Sequence, residues 1–451
     1  MANSYTIAEL LVSYAIFCLG PYLVWPSRWN VVGHFQLGFF FVAYFIPLLW
    51  TDPAGSVSTS TVCLYASIMA LGAASYLLGL PLGFFSCRYS VTGRRLLAMP
   101  DLNYRGLFTH RVITVSFCAT VGLFLCFAIM GYIPILAVDP LAAKYAHDEY
   151  RTGFLRASAL FGPSFLAFVS YLPLLIVICA KSKKASCSFV LFLGLAATAA
   201  YLRRGEIGIS LIAGTGILVA EKRSRVAFVS YLLIVICMMW IGTLANYLLN
   251  VYFSLKTGDF QSGEELTELT AIGAPDVSEG LRFFESFENQ HEPLTYGAQF
   301  VGGLIPEQSV TLSWIPLARY NPGFWAMGVL YGTNDQHFIR NHGGGGIRLA
   351  IPISGYCAFR WTGTIIMSAL AGFLTGYLAR FAKRYAGRGS LEQSAVVITM
   401  YLALYQFIGN PCEMLLLRLI PVIALAWLIY PIRIKVFSVD GVWAAPSPVT
   451  S

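Results

Sequence analysis

Long apolar runs alternate with short polar breaks along almost the whole chain. The runs are about 16 to 25 residues long, close to the ~20 residues with which an α-helix crosses the hydrocarbon core of a bilayer. The pattern therefore predicts an all-α, polytopic integral membrane protein with about 11 transmembrane helices. These helices are predicted at about 7–26, 31–50, 62–85, 112–133, 159–180, 187–202, 206–220, 226–254, 361–379, 394–410 and 414–432.

The composition agrees with a chain that uses lipid as its solvent. Hydrophobic residues make up 57% of the sequence, charged residues make up 12%, and the mean hydropathy is +0.67. Soluble domains carry fewer apolar and more charged residues. Five cysteines inside apolar runs are expected to be buried small apolar side chains rather than parts of a disulfide scaffold: Cys18, Cys118, Cys126, Cys179 and Cys237.

The longest polar stretch divides the chain into three parts. Residues 1–254 contain predicted transmembrane helices 1–8, residues 255–346 form a long loop, and residues 347–451 contain helices 9–11. Because 361–379 already supplies about 19 residues, enough to span the bilayer, residues 347–360 are expected to form a separate interfacial or re-entrant segment.

The basic residues predict an orientation. If every helix alternates in direction, 18 of the 30 Lys and Arg residues but only 4 of the 22 Asp and Glu residues fall on one side. The positive-inside rule assigns that side to the cytoplasm. The N-terminus is then periplasmic, the C-terminus is cytoplasmic, and the loops at about 134–158 and 255–346 are extracytoplasmic. Orientation alone explains the net charge of +8, so nucleic-acid binding is not expected.

The basic residues of the predicted outer face are mostly arginines. Ten of its twelve are arginines: Arg151, Arg156, Arg203, Arg204, Arg282, Arg319, Arg340, Arg348, Arg360 and Arg418. The guanidinium fork matches phosphate and carboxylate oxygens, whereas Lys offers only a point charge. The preference for Arg over Lys on this face favours an anionic, phosphate-bearing substrate. Pairing of these arginines with the many Asp and Glu residues of the loop is the open alternative.

Three of these arginines lie unusually close to apolar segments. Arg203 and Arg204 occupy a break of about four residues between two helices, where Glu206 can neutralise only one of them. Arg418 lies about one turn inside the last predicted helix, where an ionisable group suggests a functional site. Snorkelling to the interface, or pairing with Glu413, is the alternative for Arg418.

The long loop ends in a run of four glycines between His342 and Arg348. Glycines let successive N–H groups point at one anion and let a bulky ligand approach, although a flexible hinge explains them too. His342 is a candidate general base, and its competitors are Glu285, His291, Glu307 and Asp335. Neither metal-ligand spacing nor a phosphate-binding GxxxxGK[ST] loop is present, so no metal and no cofactor is expected.

These features together resemble the repeat-unit polymerases of bacterial surface polysaccharides (the Wzy type, O-antigen polymerase group). The resemblance rests on the many helices, the long outer loop in the second half, the turn Tyr201-Leu-Arg-Arg-Gly-Glu206, and His342-Gly-Gly-Gly-Gly-Ile-Arg348 before a Gly-rich helix. It implies a bacterial inner-membrane glycosyltransferase that needs no metal. A growing glycan would leave its undecaprenyl diphosphate carrier and join a new lipid-linked repeat unit at the periplasmic face.

The resemblance also assigns roles and partners. Diphosphate binding falls to Arg203, Arg204, Arg348 and Arg418, with Arg282, Arg319 and Arg340 as second choices; Arg204 and His342 are catalytic, and Glu285 is the reserve base. The expected partners are the lipid-linked oligosaccharide, membrane lipids and, optionally, a chain-length regulator protein. An O-antigen ligase-type transferase and a flippase or transporter of lipid-linked oligosaccharide are the competing functions, although no internal repeat typical of transporters is visible.

Overall fold

A computed structural model describes most of the chain, and every regular element in the part that it describes is helical. The described residues are 4–50, 57–87, 105–146, 148–182, 185–202, 204–238, 275–302, 320, 322–333, 349–388 and 390–409.

The helices follow the predicted apolar segments closely. Nine of the eleven predicted segments coincide with helices, the tenth, 226–254, is described as a helix only up to Met238, and the eleventh, 414–432, lies outside the described residues. In chain order the helices are α1 (Ser4–Val24), α2 (Val31–Phe40), a π-helical turn (Phe41–Phe45), α3 (Ile46–Trp50), α4 (Thr59–Ser86), α5 (Arg105–Met130), a 3₁₀ turn (Pro134–Leu136), α6 (Pro140–Tyr145), α7 (Asp148–Ser182), α8 (Ala185–Ala200), α9 (Arg204–Lys222), α10 (Arg225–Met238), α11 (Pro275–Asn289), α12 (Ala298–Gly302), α13 (Pro322–Tyr331), α14 (Ile351–Tyr385) and α15 (Leu391–Gly409).

Among the described residues, five segments are long and apolar enough to cross a membrane: Tyr5–Val24, Thr59–Ser86, Thr109–Met130, Ala142–Ser182 and Ile351–Tyr385. Four shorter apolar helices accompany them: Val31–Phe45, Ala185–Ala200, Arg225–Met238 and Leu391–Tyr405. The described part of the protein is therefore all-helical with several candidate membrane spans, and the total of eleven crossings stays a prediction.

The predicted loop at about 134–158 is largely helical, which corrects the sequence-based boundary. It contains the 3₁₀ turn, α6 and the first residues of α7, including Arg151 and Arg156. Hydropathy marks only the apolar length of a helix, whereas the hydrogen-bonded helix continues past its charged end. The helix that was expected at 159 thus begins at Asp148.

The closest helix pair is α4 with α14, and two glycine motifs face each other there. The motifs are Gly79-Leu-Pro-Leu-Gly83 and Gly372-Phe-Leu-Thr-Gly376. A Cβ atom on Gly83 would overlap the carbonyl oxygen of Phe373, and one on Gly376 would overlap that of Leu80. Small residues spaced in this way let two backbones approach and are frequent between membrane helices. Residue numbers rise together along the contact, so the two helices are parallel, as the alternating topology requires.

Several predicted cytoplasmic breaks meet at one end of the bundle. Lys181, at the end of α7, lies 3.5 Å from Glu392 at the start of α15 and 3.8 Å from Glu221 near the end of α9. Gly387, beyond α14, packs so closely on the Trp29 ring that a Cβ would overlap it. We call this the basic end, because most Lys and Arg residues of the described breaks lie in these segments. Its side of the membrane stays a prediction.

The prediction of five buried, unpaired cysteines was wrong for three of them. Cys179 and Cys187 form a disulfide with their Cα atoms 5.5 Å apart, because the short break between α7 and α8 brings the two helix ends together. Cys18 and Cys126 are buried as expected, whereas Cys118 and Cys237 are exposed on helix surfaces.

Candidate functional site

The helix α14 is broken near its start, at two residues with non-helical backbone angles. Phe359 has φ −145° and ψ 28°, and Arg360 has φ 53° and ψ −142°. The two resulting pieces, 351–358 and 361–385, fold back on each other: the Thr364 hydroxyl donates to the Pro352 carbonyl at 3.1 Å. The sequence predicted a separate piece before 361, and the break lies there. Whether the piece enters the membrane stays a prediction.

Two glycines allow the two arms of this helical hairpin to pack closely together. A Cβ on Gly355 would overlap the carbonyl oxygen of Gly363, and a Cβ on Gly363 would overlap that of Gly355. The positive φ of Arg360 is a conformation that L-residues rarely adopt and that raises the free energy of the folded state by on the order of 1–3 kcal/mol. Such strain persists only where surrounding contacts determine the conformation. The side chain of Arg360 makes contacts that hold it in this conformation.

Arg360 is held at the tip of the hairpin by one carboxylate and two rings. Its Nη1 donates to Oε1 of Glu288 on α11. Its guanidinium carbon lies 5.0 Å from the Tyr356 ring centroid and 5.7 Å from that of Phe287. Arginine has five N–H donors, and the side chain stays 41% exposed. The contacts fix the position of the guanidinium while its outer part remains open to a ligand.

The helix α11 provides Glu288 because it is strongly amphipathic. Its apolar residues recur at helical spacing and are buried, whereas Arg282 is exposed and Glu285 and Glu288 are half-buried. The Phe284 ring lies 5.7 Å from the rings of both Tyr65 and Tyr356. Residues 275–289 of the predicted long loop thus form a helix packed on the bundle. The buried apolar residues are Val277, Leu281, Phe283, Phe284 and Phe287.

Glu285, the predicted reserve base, contacts the start of α4. Its Oε1 accepts a 2.8 Å hydrogen bond from the backbone N–H of Ser58, whose own side chain caps that helix by accepting from Thr61 N–H at 3.3 Å. A carboxylate at a helix N-terminus is favoured by unpaired N–H groups and by the helix dipole. Glu285 therefore has a structural task beside the catalytic role, which stays a prediction.

A short segment after α11 is fixed to the hairpin by hydrogen bonds. The backbone N–H of Thr295 donates to the Cys357 carbonyl at 3.1 Å, and Nε2 of Gln299 donates to the Ser354 carbonyl at 3.0 Å. Tyr296, between these two anchors, is 73% exposed, and its ring lies 6.2 Å from that of Phe359.

Three exposed aromatic rings therefore accompany the arginine at the hairpin tip: Tyr296, Phe359 and Trp361. We call the surface formed by Arg360, Glu288, Tyr296, Phe359 and Trp361 the hairpin-tip surface. It joins a fixed cation to flat apolar faces, which suits a ligand that carries both an anion and sugar rings.

The Tyr201–Glu206 turn is anchored at its first residue. Tyr201 is buried, its hydroxyl donates to the Leu123 carbonyl at 3.1 Å, and its ring stacks 4.4 Å from that of Phe127. Leu202 follows with φ 58°, and Arg204 is the first residue of α9. Anions are favoured at a helix N-terminus, so the backbone at the start of α9 is compatible with the anion binding that the sequence predicts for Arg204.

The structure describes three of the predicted site residues, on two different helices. Arg282 and Glu285 lie on α11, and Arg204 begins α9. The remaining predicted site residues lie outside the described residues, so their assignments stay predictions: Arg203, Arg319, Arg340, His342, Arg348 and Arg418. Among the residues that the structure describes, no group of three or more His, Cys, Asp or Glu side chains could hold a metal ion.

Sequence reasoning missed the partners of Arg360. It placed that arginine near headgroup depth but gave it no role, and it treated Glu288 only as one of several loop acids. The useful signal was the helical spacing of the apolar residues in α11, because it leaves Glu285 and Glu288 one turn apart at the edge of the buried face. The role of Tyr296 had no sequence signal.

Comparison of the chain with protein-family models, with curated proteins and with solved structures gave no match. The case for a function therefore depends on the residues themselves.

Proposed function

We propose that this chain is a metal-independent glycosyltransferase that polymerises undecaprenyl-diphosphate-linked oligosaccharide repeat units. The reaction takes place at the periplasmic face of a bacterial inner membrane. The observation that carries the proposal is Arg360, a half-exposed guanidinium fixed by Glu288 and Tyr356 at the tip of a broken apolar helix.

The chemistry of the proposed reaction needs such a cation. The acceptor hydroxyl oxygen bonds to the anomeric carbon of the donor glycan, and the bond from that carbon to the diphosphate oxygen breaks. Negative charge develops on the departing undecaprenyl diphosphate. Fixed guanidinium groups stabilise that charge without rearranging during the reaction. We therefore add Arg360 to the arginines that are proposed to bind the diphosphate, which include Arg204 and Arg348.

The proton of the acceptor hydroxyl goes to a base in this mechanism. His342 is assigned this role because imidazole accepts a proton near neutral pH. Glu285 is the reserve base, although its contact with the start of α4 occupies one carboxylate oxygen. The exposed rings of Tyr296, Phe359 and Trp361 would pack against the faces of the sugar rings.

One observation favours a second function, transport of the lipid-linked oligosaccharide across the membrane. Transporters often bind substrates at broken helices, and α14 is broken. However, the long piece 361–385 continues after the break without interruption, so the break lies at one end of a span-length helix. Transporter breaks are expected near the middle of the membrane. We therefore place polymerisation first.

A strain deleted for the gene tests the proposal. Its lipid-linked and surface glycans are separated on a gel after complementation with the wild type, Arg360→Ala, Arg204→Ala or His342→Ala, at matched protein levels. Arg388→Ala, which removes an exposed arginine at the basic end, is the control. The proposal predicts a ladder for the wild type and the control, and single repeat units that still reach the surface for the three variants.

The other functions give different patterns in the deleted strain. A long ladder retained on the carrier lipid indicates a ligase, and repeat units trapped on the cytoplasmic side indicate a flippase. Either pattern would remove polymerisation as the function of this chain.

A further inference from the structure

A groove opens at the basic end, far along the helices from the hairpin-tip surface. It has a volume of about 470 Å³ and is lined by Pro26, Ser27, Arg28, Trp29, Arg223 and Phe228. One wall is the turn between α1 and α2, and the other is the turn between α9 and α10. Its described lining contains two arginines and no acidic residue.

The wall that contains Arg28 is held rigidly by Asn30. This asparagine is fully buried, and its Nδ2 donates to the Pro21 carbonyl at 3.0 Å and to the Trp25 carbonyl at 2.8 Å. Its Oδ1 accepts from Gly33 N–H at 3.0 Å. The turn therefore holds its shape without a ligand, as binding pockets usually do.

Within the part of the chain that the structure describes, no carboxylate pairs with the two arginines of the groove. Nη1 of Arg28 is buried and makes no hydrogen bond. Glu221, two residues before Arg223, lies 3.8 Å from Lys181 instead. A buried, unpaired guanidinium donor is unfavourable, because its lost hydration is not replaced. An anion in the groove would supply the counter-charge that the described residues do not provide for this guanidinium.

An exposed apolar stripe begins beside the groove. On α10, Val226, Val229 and Leu233 are 78%, 56% and 59% exposed and recur at helical spacing on one face. Leu23, at the end of α1, is also 59% exposed. A surface of this kind faces acyl chains when the helix lies in a bilayer.

From these observations we propose that the groove binds the phosphate headgroup of an anionic membrane lipid. Arg28 and Arg223 contact the phosphate, and the acyl chains follow the exposed stripe of α10. Basic pockets between membrane helices recognise lipid headgroups in this way. The site is independent of the glycosyltransferase proposal, because it lies at the opposite end of the predicted spans and uses none of the same residues.

Lipid binding to the full-length protein tests the proposal. The protein is purified in a neutral detergent, phosphatidylglycerol or phosphatidylcholine with identical chains is added, and bound lipids are counted by native mass spectrometry. The variants are Arg28→Gln, Arg223→Gln and, as a control with the same loss of charge, Arg388→Gln. Melting temperatures in phosphatidylcholine verify that each variant is folded.

We expect the wild type and Arg388→Gln to retain phosphatidylglycerol over phosphatidylcholine, and each groove variant to bind phosphatidylglycerol about tenfold more weakly. Equal binding by folded Arg28→Gln and Arg223→Gln protein would overturn the proposal. A parallel titration with inorganic phosphate separates the two possible sources of the anion. Protection against unfolding by phosphate equal to that by phosphatidylglycerol would overturn the assignment to a lipid.

Discussion

Arg360 and Glu288 are 72 positions apart in the chain, yet they form an ion pair between the tip of the α14 hairpin and the helix α11. The pair connects the long loop of the second half to the apolar bundle. Because the two side chains are 41% and 29% exposed, water screens their attraction. The contribution of this ion pair to the free energy of unfolding is therefore expected to be as small as that of other partly exposed pairs.

A double-mutant cycle measures this pair. Glu288→Gln and Arg360→Gln, singly and together, are unfolded in detergent, and their free energies of unfolding are compared. We expect a coupling free energy of about 0.5–1 kcal/mol. Strictly additive effects of the two changes would mean that the ion pair does not position Arg360.

The backbone conformation of Arg360 can be separated from its charge. Arg360→Gly suits the positive φ, so we expect a free energy of unfolding unchanged to within about 1 kcal/mol, because the relieved backbone strain offsets the lost contacts. Arg360→Lys retains the charge and loses the planar fork. Both variants should be folded and should form little polymer. Full activity of the folded glycine variant would exclude Arg360 from substrate binding.

The parallel contact between α4 and α14 depends on its glycines. Gly376→Val would push a side chain into the backbone of α4. We expect the free energy of unfolding to fall by about 3 kcal/mol and the protein to elute from a size-exclusion column as a broad peak. The matched control is Gly208→Val on α9, because a Cβ at Gly208 meets no atom within 4 Å. Similar melting temperatures for the two variants would contradict the close approach of these helices.

Glu285 allows its structural and catalytic roles to be distinguished. Glu285→Ala removes the acceptor for the Ser58 N–H and should lower the free energy of unfolding by about 1 kcal/mol, whereas Glu285→Gln retains an acceptor oxygen and should lose less. The two unfolding curves measure this difference. If Glu285→Gln is stable and polymerises normally, His342 remains the candidate base. If it is stable and inactive, Glu285 takes that role.

The sequence predicted the helices well because apolar length is a local property. The predicted start at 361 lies directly after the break at Phe359 and Arg360. The start of α7 was predicted late, since Arg151 and Arg156 interrupt the apolar run without ending the helix. The π-helical turn Phe41–Phe45 has no equivalent local signal.

The site was less predictable because it depends on contacts distant in sequence. The amphipathic pattern of α11 is visible in the chain, but the packing of that helix on Tyr65 and Tyr356 is not. The glycine motifs of α4 and α14 are visible too, yet only the fold shows that they face each other. The sequence singled out the outer-face arginines as a group, and their role stays a prediction, whereas the partners of Arg360 required the tertiary structure.

The most direct test of the account is polymerisation by the purified protein in lipid vesicles. The substrate is an undecaprenyl-diphosphate-linked repeat unit, a chelator is present, and both products are measured. The account predicts glycans of increasing length and one undecaprenyl diphosphate released for each new linkage, with neither product formed by folded Arg360→Ala protein. Repeat units that cross the vesicle membrane unchanged, with no release of undecaprenyl diphosphate, would contradict it.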